Sequence, residues 1–120
     1  MTIANFLIAI IALLHLYFLW MEMFAWQTAG KRAFGKGFSD QFFKDTKTLA
    51  ANQGLYNGFL AAGLIWSLLI DDPQWSKNVA LFFLGCVLVA GLYGGFTAGK
   101  KILYIQALPA AIALMLVGWS

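Results

Sequence analysis

The sequence predicts an all-α integral membrane protein: a four-transmembrane-helix bundle with an amphipathic basic loop after the first helix. Three observations predict it. The 120 residues are 62% hydrophobic and only 11% charged, where a soluble domain carries about 25% charged residues. Apolar stretches fall at about 2–26, 47–70, 78–98 and 102–119, each near the ~20 residues needed to cross a bilayer. Seven of the eight Lys and Arg residues lie between the first and second or the third and fourth stretches. Lys31, Arg32, Lys36, Lys44 and Lys47 occupy the first gap, Lys100 and Lys101 the third, and only Lys77 the second. Cytoplasmic loops keep an excess of Lys and Arg. Loops 1 and 3 are therefore expected in the cytoplasm, with both termini outside.

Composition excludes several classes. Four spans leave one loop of real size and no room for a soluble domain, so the whole chain is one transmembrane domain. The net charge of +3 lies beside membrane spans, where anionic lipid and topology account for it, and no base-reading motif accompanies it. No nucleic-acid partner is expected. Cys86 is the only cysteine, which excludes an internal disulfide and makes it a packing residue. One His is too little for a metal site, so no metal ligands are assigned. The first 26 residues lack a basic start and a small-residue cleavage site, and they read as a retained first helix.

Taken in order, the first span is long enough to cross with tilt. The following segment, Lys31 to Lys47, reads KRAFGKGFSDQFFKDTK. Its phenylalanines, Phe34, Phe38, Phe42 and Phe43, recur near every fourth residue among basic residues, which predicts a short interfacial helix lying on the bilayer. Asp45 or Thr46 is the expected cap of the second span. That span carries Ala50, Gly54, Gly58 and Ala62, and the third carries Gly91, Gly95 and Gly99. Such stripes let helix backbones approach closely in lipid, within one chain or between subunits. Pro109 is expected to kink the fourth span. Trp66, Trp75 and Trp119 near the outer side and Trp26 near the inner side form the expected aromatic belt.

The polar groups are unevenly placed. Glu22, Asn52, Gln53, Tyr93, Thr97, Tyr104 and Gln106 all lie toward the cytoplasmic ends of their spans, while the outer half has little beyond Asn5 and Ser67. His15 and Asn57 fall at matching depth, roughly 15 Å from the inner ends at ~1.5 Å per residue. His15 and Glu22 share a helix face two turns apart, as do Gln53 and Asn57 one turn apart, with Tyr56 beside them. Polar groups in a membrane are costly and point into the bundle. A pocket open to the cytoplasm follows, with Glu22, His15, Asn52, Gln53, Tyr56, Asn57, Tyr93, Tyr104 and Gln106 as its expected ligand-binding residues. The bland reading makes Glu22 an ion-pair partner of Lys31, Arg32 or Lys100, and His15 and the amides mere helix ties.

Two segments carry a resemblance. MEMFAWQTAGKRAFG, Met21 to Gly35, and LAANQGLYNGFLAAGL, Leu49 to Leu64, resemble an uncharacterised family of small four-span bacterial membrane proteins, domain of unknown function 1304. The resemblance covers essentially the whole chain and implies a bacterial cytoplasmic-membrane protein without an assigned reaction. Asn52 and Asn57 are also similar to part of a pattern in the membrane-associated eicosanoid and glutathione metabolism superfamily, which implies trimers. The glutathione-binding arginines of that superfamily have no counterpart, since Arg32 in the first loop is the only arginine. Small multidrug transporters are comparable in length and in carrying a first-helix glutamate, but their first loop is short and their charge bias weak.

The resulting expectation is a bacterial inner-membrane protein with a cytoplasm-facing polar pocket for a small amphipathic ligand. A homo-oligomer is expected, a trimer before a dimer. Three alternatives stay open: a thiol-cofactor-dependent enzyme using Tyr93 or Tyr104 to activate the thiol, a small proton-coupled transporter using Glu22 and His15, and a purely structural membrane protein. The residues specify no catalytic group and no cofactor.

Overall fold

The computed structural model describes residues 2–119, and the regular structure among them is entirely helical. In chain order it comprises α1 (Ile3–Phe24), a π-helical turn (Trp26–Gly30), α2 (Lys31–Phe34), α3 (Asp40–Asp45), α4 (Lys47–Leu69), α5 (Pro73–Thr97), α6 (Lys100–Ile102), a second π-helical turn (Leu103–Ala107) and α7 (Leu108–Trp119).

Among the described residues, three helical segments are long and apolar enough to cross a membrane: Ile3–Phe24, Pro73–Thr97 and the continuous run Lys100–Trp119. Four equivalent spans were expected, and the second differs from the rest. Helix α4 has the length to cross, at 23 residues, but Asn52, Gln53 and Asn57 lower its hydropathy. Amides are costly in hydrocarbon, so three of them within six residues of one helix call for a use.

The chain divides into two compact units, Met1–Leu13 with Leu60–Ser120, and Leu14–Phe59. In the first, Ile8, Ile11 and Ala12 from α1 are buried with Leu64 from α4, Ala80, Leu84 and Val87 from α5, and Ala110, Ala113 and Val117 from α7. Small residues set the closest approach. A Cβ on Gly91 would lie 2.7 Å from the Ala107 backbone nitrogen, so α5 meets the start of the last helical run backbone to backbone. Gly99 turns the chain between them at φ 155° and ψ 150°, a region open essentially to glycine alone. Proline cannot supply an N–H to the preceding turn. The helix before Pro109 accordingly opens into the π turn, where the Leu108 N–H bonds the Leu103 carbonyl. The irregularity observed beside Pro109 is this π turn.

Helix α5 starts at Pro73, earlier than the apolar stretch that predicted it. The Asp72 side chain accepts the Trp75 N–H at 3.0 Å, and proline suits the first helical turn because its missing N–H would have no partner there. Buried Ser67 donates to the Leu64 carbonyl at 2.6 Å, and Ser76 donates to the Ser67 carbonyl at 2.7 Å.

In the second unit, α1 is interrupted at Ala25, with φ −138° and ψ 30°. The Gly30 N–H then bonds the Ala25 carbonyl at 2.9 Å, closing the π turn. A Cβ on Gly30 would fall 2.5 Å from the Trp26 ring, so glycine is what lets the indole fold over this turn. Trp26 packs on Phe43, ring centroids 5.1 Å apart, and its Nε1–H donates to Thr46 Oγ1 at 2.9 Å. Phe43 is 1% exposed, whereas Phe38 and Phe42 are exposed and stack on each other at 4.4 Å. The short amphipathic helix expected in this loop is α3, capped by Ser39, whose hydroxyl accepts the Phe42 N–H. Thr46 does not cap α4 through its side chain. Its hydroxyl donates back to the Phe42 carbonyl at 2.7 Å and accepts the Trp26 indole. Asp45 is likewise used locally, accepting from Gln41 at 2.8 Å.

Candidate functional site

The site is built by two local features of the second unit. Glu22 lies in the last turn of α1, just before the break at Ala25. Opposite it, α4 presents the small residues Ala50, Gly54 and Gly58. A Cβ on Gly54 would lie 2.8 Å from Met23 Cγ, 3.0 Å from Glu22 Cβ and 3.1 Å from the Leu19 carbonyl oxygen. A Cβ on Gly58 would lie 2.5 Å from Leu19 Cδ1. Glycine at these positions brings the helix axes close. The residues flanking Gly54 then reach the carboxylate.

Glu22 is 4% exposed. Its Oε2 accepts from Gln53 Nε2 and its Oε1 from Asn57 Nδ2, each at 2.6 Å. Both oxygens are thus held by neutral amides. The ion pairing expected with Lys31 is taken elsewhere, since Lys31 pairs with Asp40. A carboxyl held by neutral amides keeps lone pairs for a further hydrogen-bond donor or a cation.

The remaining expected site residues are placed as follows. His15 is fully buried in the same unit, edge-on to Phe18 at 5.4 Å. It lies on the α1 face that carries Glu22. Asn57 is half-buried, and Gln53 reaches Glu22 from an otherwise exposed position. Asn52 and Tyr56 are exposed. Tyr93, Tyr104 and Gln106 belong to the other unit. Tyr93 is 72% and Tyr104 68% exposed, and Gln106 is half-buried. The structure therefore brings Glu22, Gln53 and Asn57 together, while within their own unit the two tyrosines stand on the surface.

Sequence reasoning missed a concave feature elsewhere in the chain. A cleft of about 520 Å³ in the first unit is lined by Thr2, Asn5, Ser67, Asp71, Ser76 and Lys77 above apolar Ile8, Leu68, Ala80 and Val117. Asn5 and Ser67 were visible as isolated outer-half polar groups. Their convergence with the loop before α5 depends on packing that no spacing rule encodes. Among the described residues, no group of three or more His, Cys, Asp and Glu is placed to hold a metal ion.

Comparison with known proteins agrees with the whole-chain resemblance. Residues 9–118 match the family described as "Protein of unknown function (DUF1304)". A relative in Lactococcus lactis subsp. lactis (strain IL1403), "Uncharacterized protein YpaA", is 35% identical over 119 residues, covering 96% of this chain and 97% of its own. No solved structure matches. The matched stretch takes in Glu22, Gln53 and Asn57, and by this match and this relative the chain belongs to the DUF1304 family.

Proposed function

We propose that this chain is a four-helix protein of the bacterial cytoplasmic membrane that binds a small amphipathic molecule at Glu22. The observation that carries the reading is the buried carboxylate with both oxygens on amides of α4. Ionisable groups inside membrane helices face the protein interior and mark sites of binding or transport. The same amides explain why α4 is less apolar than the other three long segments: it trades hydropathy for the site. In this reading α4 is the fourth span, and loops 1 and 3, which hold seven of the eight basic residues, face the cytoplasm. The apolar body of the ligand would enter from the inner leaflet, and its polar head would meet Glu22.

Native mass spectrometry of protein released from its own membranes tests the ligand. The wild type should retain a small-molecule mass adduct that Glu22→Gln loses, with thermal unfolding close to wild type. An adduct retained equally by Glu22→Gln would remove Glu22 from the binding role. A proton-coupled reading draws on one further observation, that buried His15 shares the Glu22 face of α1. Uptake into vesicles that collapses with the proton gradient would favour it over simple binding.

A further inference from the structure

Helix α4 carries two stripes at fourth-residue spacing on opposite sides. The small stripe, Ala50, Gly54 and Gly58, is used inside the chain, where Gly54 and Gly58 lie against Leu19 to Met23 of α1. It is therefore not free to serve as a subunit contact. The other stripe is Thr48, Asn52 and Tyr56. Its three residues are exposed, Tyr56 at 65%. Successive residues of an α-helix turn by about 100°, so two positions two residues apart point to nearly opposite sides. That geometry separates Asn52 from Gly54 and Tyr56 from Gly54 and Gly58. Gln53, the donor to Glu22, borders the polar stripe and is itself exposed.

An exposed amide on a membrane helix has two possible surroundings, lipid or protein. Hydrocarbon offers it no partner. By the helix rise of ~1.5 Å per residue, Asn52 lies about 8 Å and Tyr56 about 14 Å from the start of α4. Asn is too short to reach back to water over such a distance, unlike Lys or Arg. Small polar residues at this spacing join helices in membranes by hydrogen bonds.

We propose that the Thr48–Asn52–Tyr56 stripe is the contact between two copies of this chain, and that the second copy closes the outer side of the Glu22 site. The occupant follows from the chemistry of the stripe. An Asn side chain carries both donors and an acceptor, and Tyr and Thr hydroxyls do the same. A stripe of such groups is complementary to itself, as a two-fold contact requires. Gln53, held to Glu22 on one side, gains cover on the other. The inference rests on the membrane reading above and adds the surface that completes the site.

Disulfide trapping in native membranes tests it. In a Cys86→Ser background, Asn52→Cys and Tyr56→Cys should each oxidise to a covalent dimer. The yield should exceed by several-fold that of Phe82→Cys, an exposed apolar position on α5. Native mass spectrometry of the Cys86→Ser parent should show more than one chain, and Asn52→Leu combined with Tyr56→Phe should shift it toward the single chain. Equal trapping at all three positions would mean random collision and would overturn the proposal. So would a single-chain mass carrying a lipid or small molecule, which would assign the stripe to that molecule instead. Alkaline carbonate extraction separates the two failures. A chain that stays in the membrane pellet without trapping sinks only the contact, whereas a chain released to the supernatant sinks the membrane reading beneath it.

Discussion

At the scale of single residues, Glu22 is the one whose burial demands an account. It is a carboxyl at the end of an apolar helix, and it is buried because two amides from α4 replace the water it gives up. Glu22→Leu leaves Gln53 and Asn57 without their acceptor; exposed Gln53 can turn to water, while a donor left unsatisfied at half-buried Asn57 costs up to about 1–3 kcal/mol. Glu22→Gln keeps an acceptor and a donor in place. It should therefore lie much nearer wild type in thermal unfolding in detergent, and Glu22→Leu should fall clearly below it. Equal stability of the two would mean that the amides satisfy themselves elsewhere. Trp26 makes the second informative contact. Its indole both covers Phe43 and donates to Thr46. Trp26→Phe keeps most of the ring packing and removes one hydrogen bond, a loss of about 0.5–1.5 kcal/mol. Proteolysis within 31–46 should quicken if that contact anchors the loop.

At the scale of elements, glycine positions decide how closely helices approach, and they are not equivalent. An added methyl at Gly54 would meet backbone, the Leu19 carbonyl, and the Glu22 Cβ. At Gly58 it would meet only the end of the flexible Leu19 side chain. Gly54→Ala should destabilise by about 1–3 kcal/mol, the usual range for overpacking, and Gly58→Ala by distinctly less. Thermal unfolding of the two variants side by side checks the order. Because Gln53 and Asn57 flank Gly54, the first substitution should also weaken ligand retention, which Gly58→Ala should leave largely intact. Gly91 is the counterpart in the other unit, where the neighbouring atoms are the backbone nitrogen and Cα of Ala107.

At the scale of the whole molecule, the charge distribution makes the prediction. Loops carrying seven of the eight basic residues should face the cytoplasm, because positive charge resists translocation. A fusion at Ser120, which lies outside the described residues, should be active with a periplasmic or exterior reporter and silent with a cytoplasmic one. Moving the bias should move the topology. Replacing Lys31, Arg32 and Lys36 by Gln while adding lysines to the loop before α5 should yield a mixed or inverted orientation by the same fusions. A topology unaffected by that exchange would mean that another feature orients the chain.

The amino-acid sequence by itself determined what depends on local composition and period. Four helical runs, the end of the first near Trp26, the basic and aromatic loop with its short helix and the family membership were all legible there. So was the candidate trio of Glu22, Gln53 and Asn57, because helix geometry places residues three or four apart on one face and depth follows from counting. The tertiary structure decided which faces meet. Spacing treats Glu22 with Lys31 and Glu22 with Gln53 as equal options. Only the close approach at Gly54 selects the amides, while Asp40 takes the lysine. Spacing likewise offers the Gly54–Gly58 stripe to a neighbouring chain, and only the packed position of Leu19 shows it already filled. Tyr93 and Tyr104 counted toward a pocket by depth alone, and depth is silent about azimuth on a helix. Their exposure is set by how α5 packs with the last helical run, a contact between residues distant in the chain that no single stretch of sequence encodes.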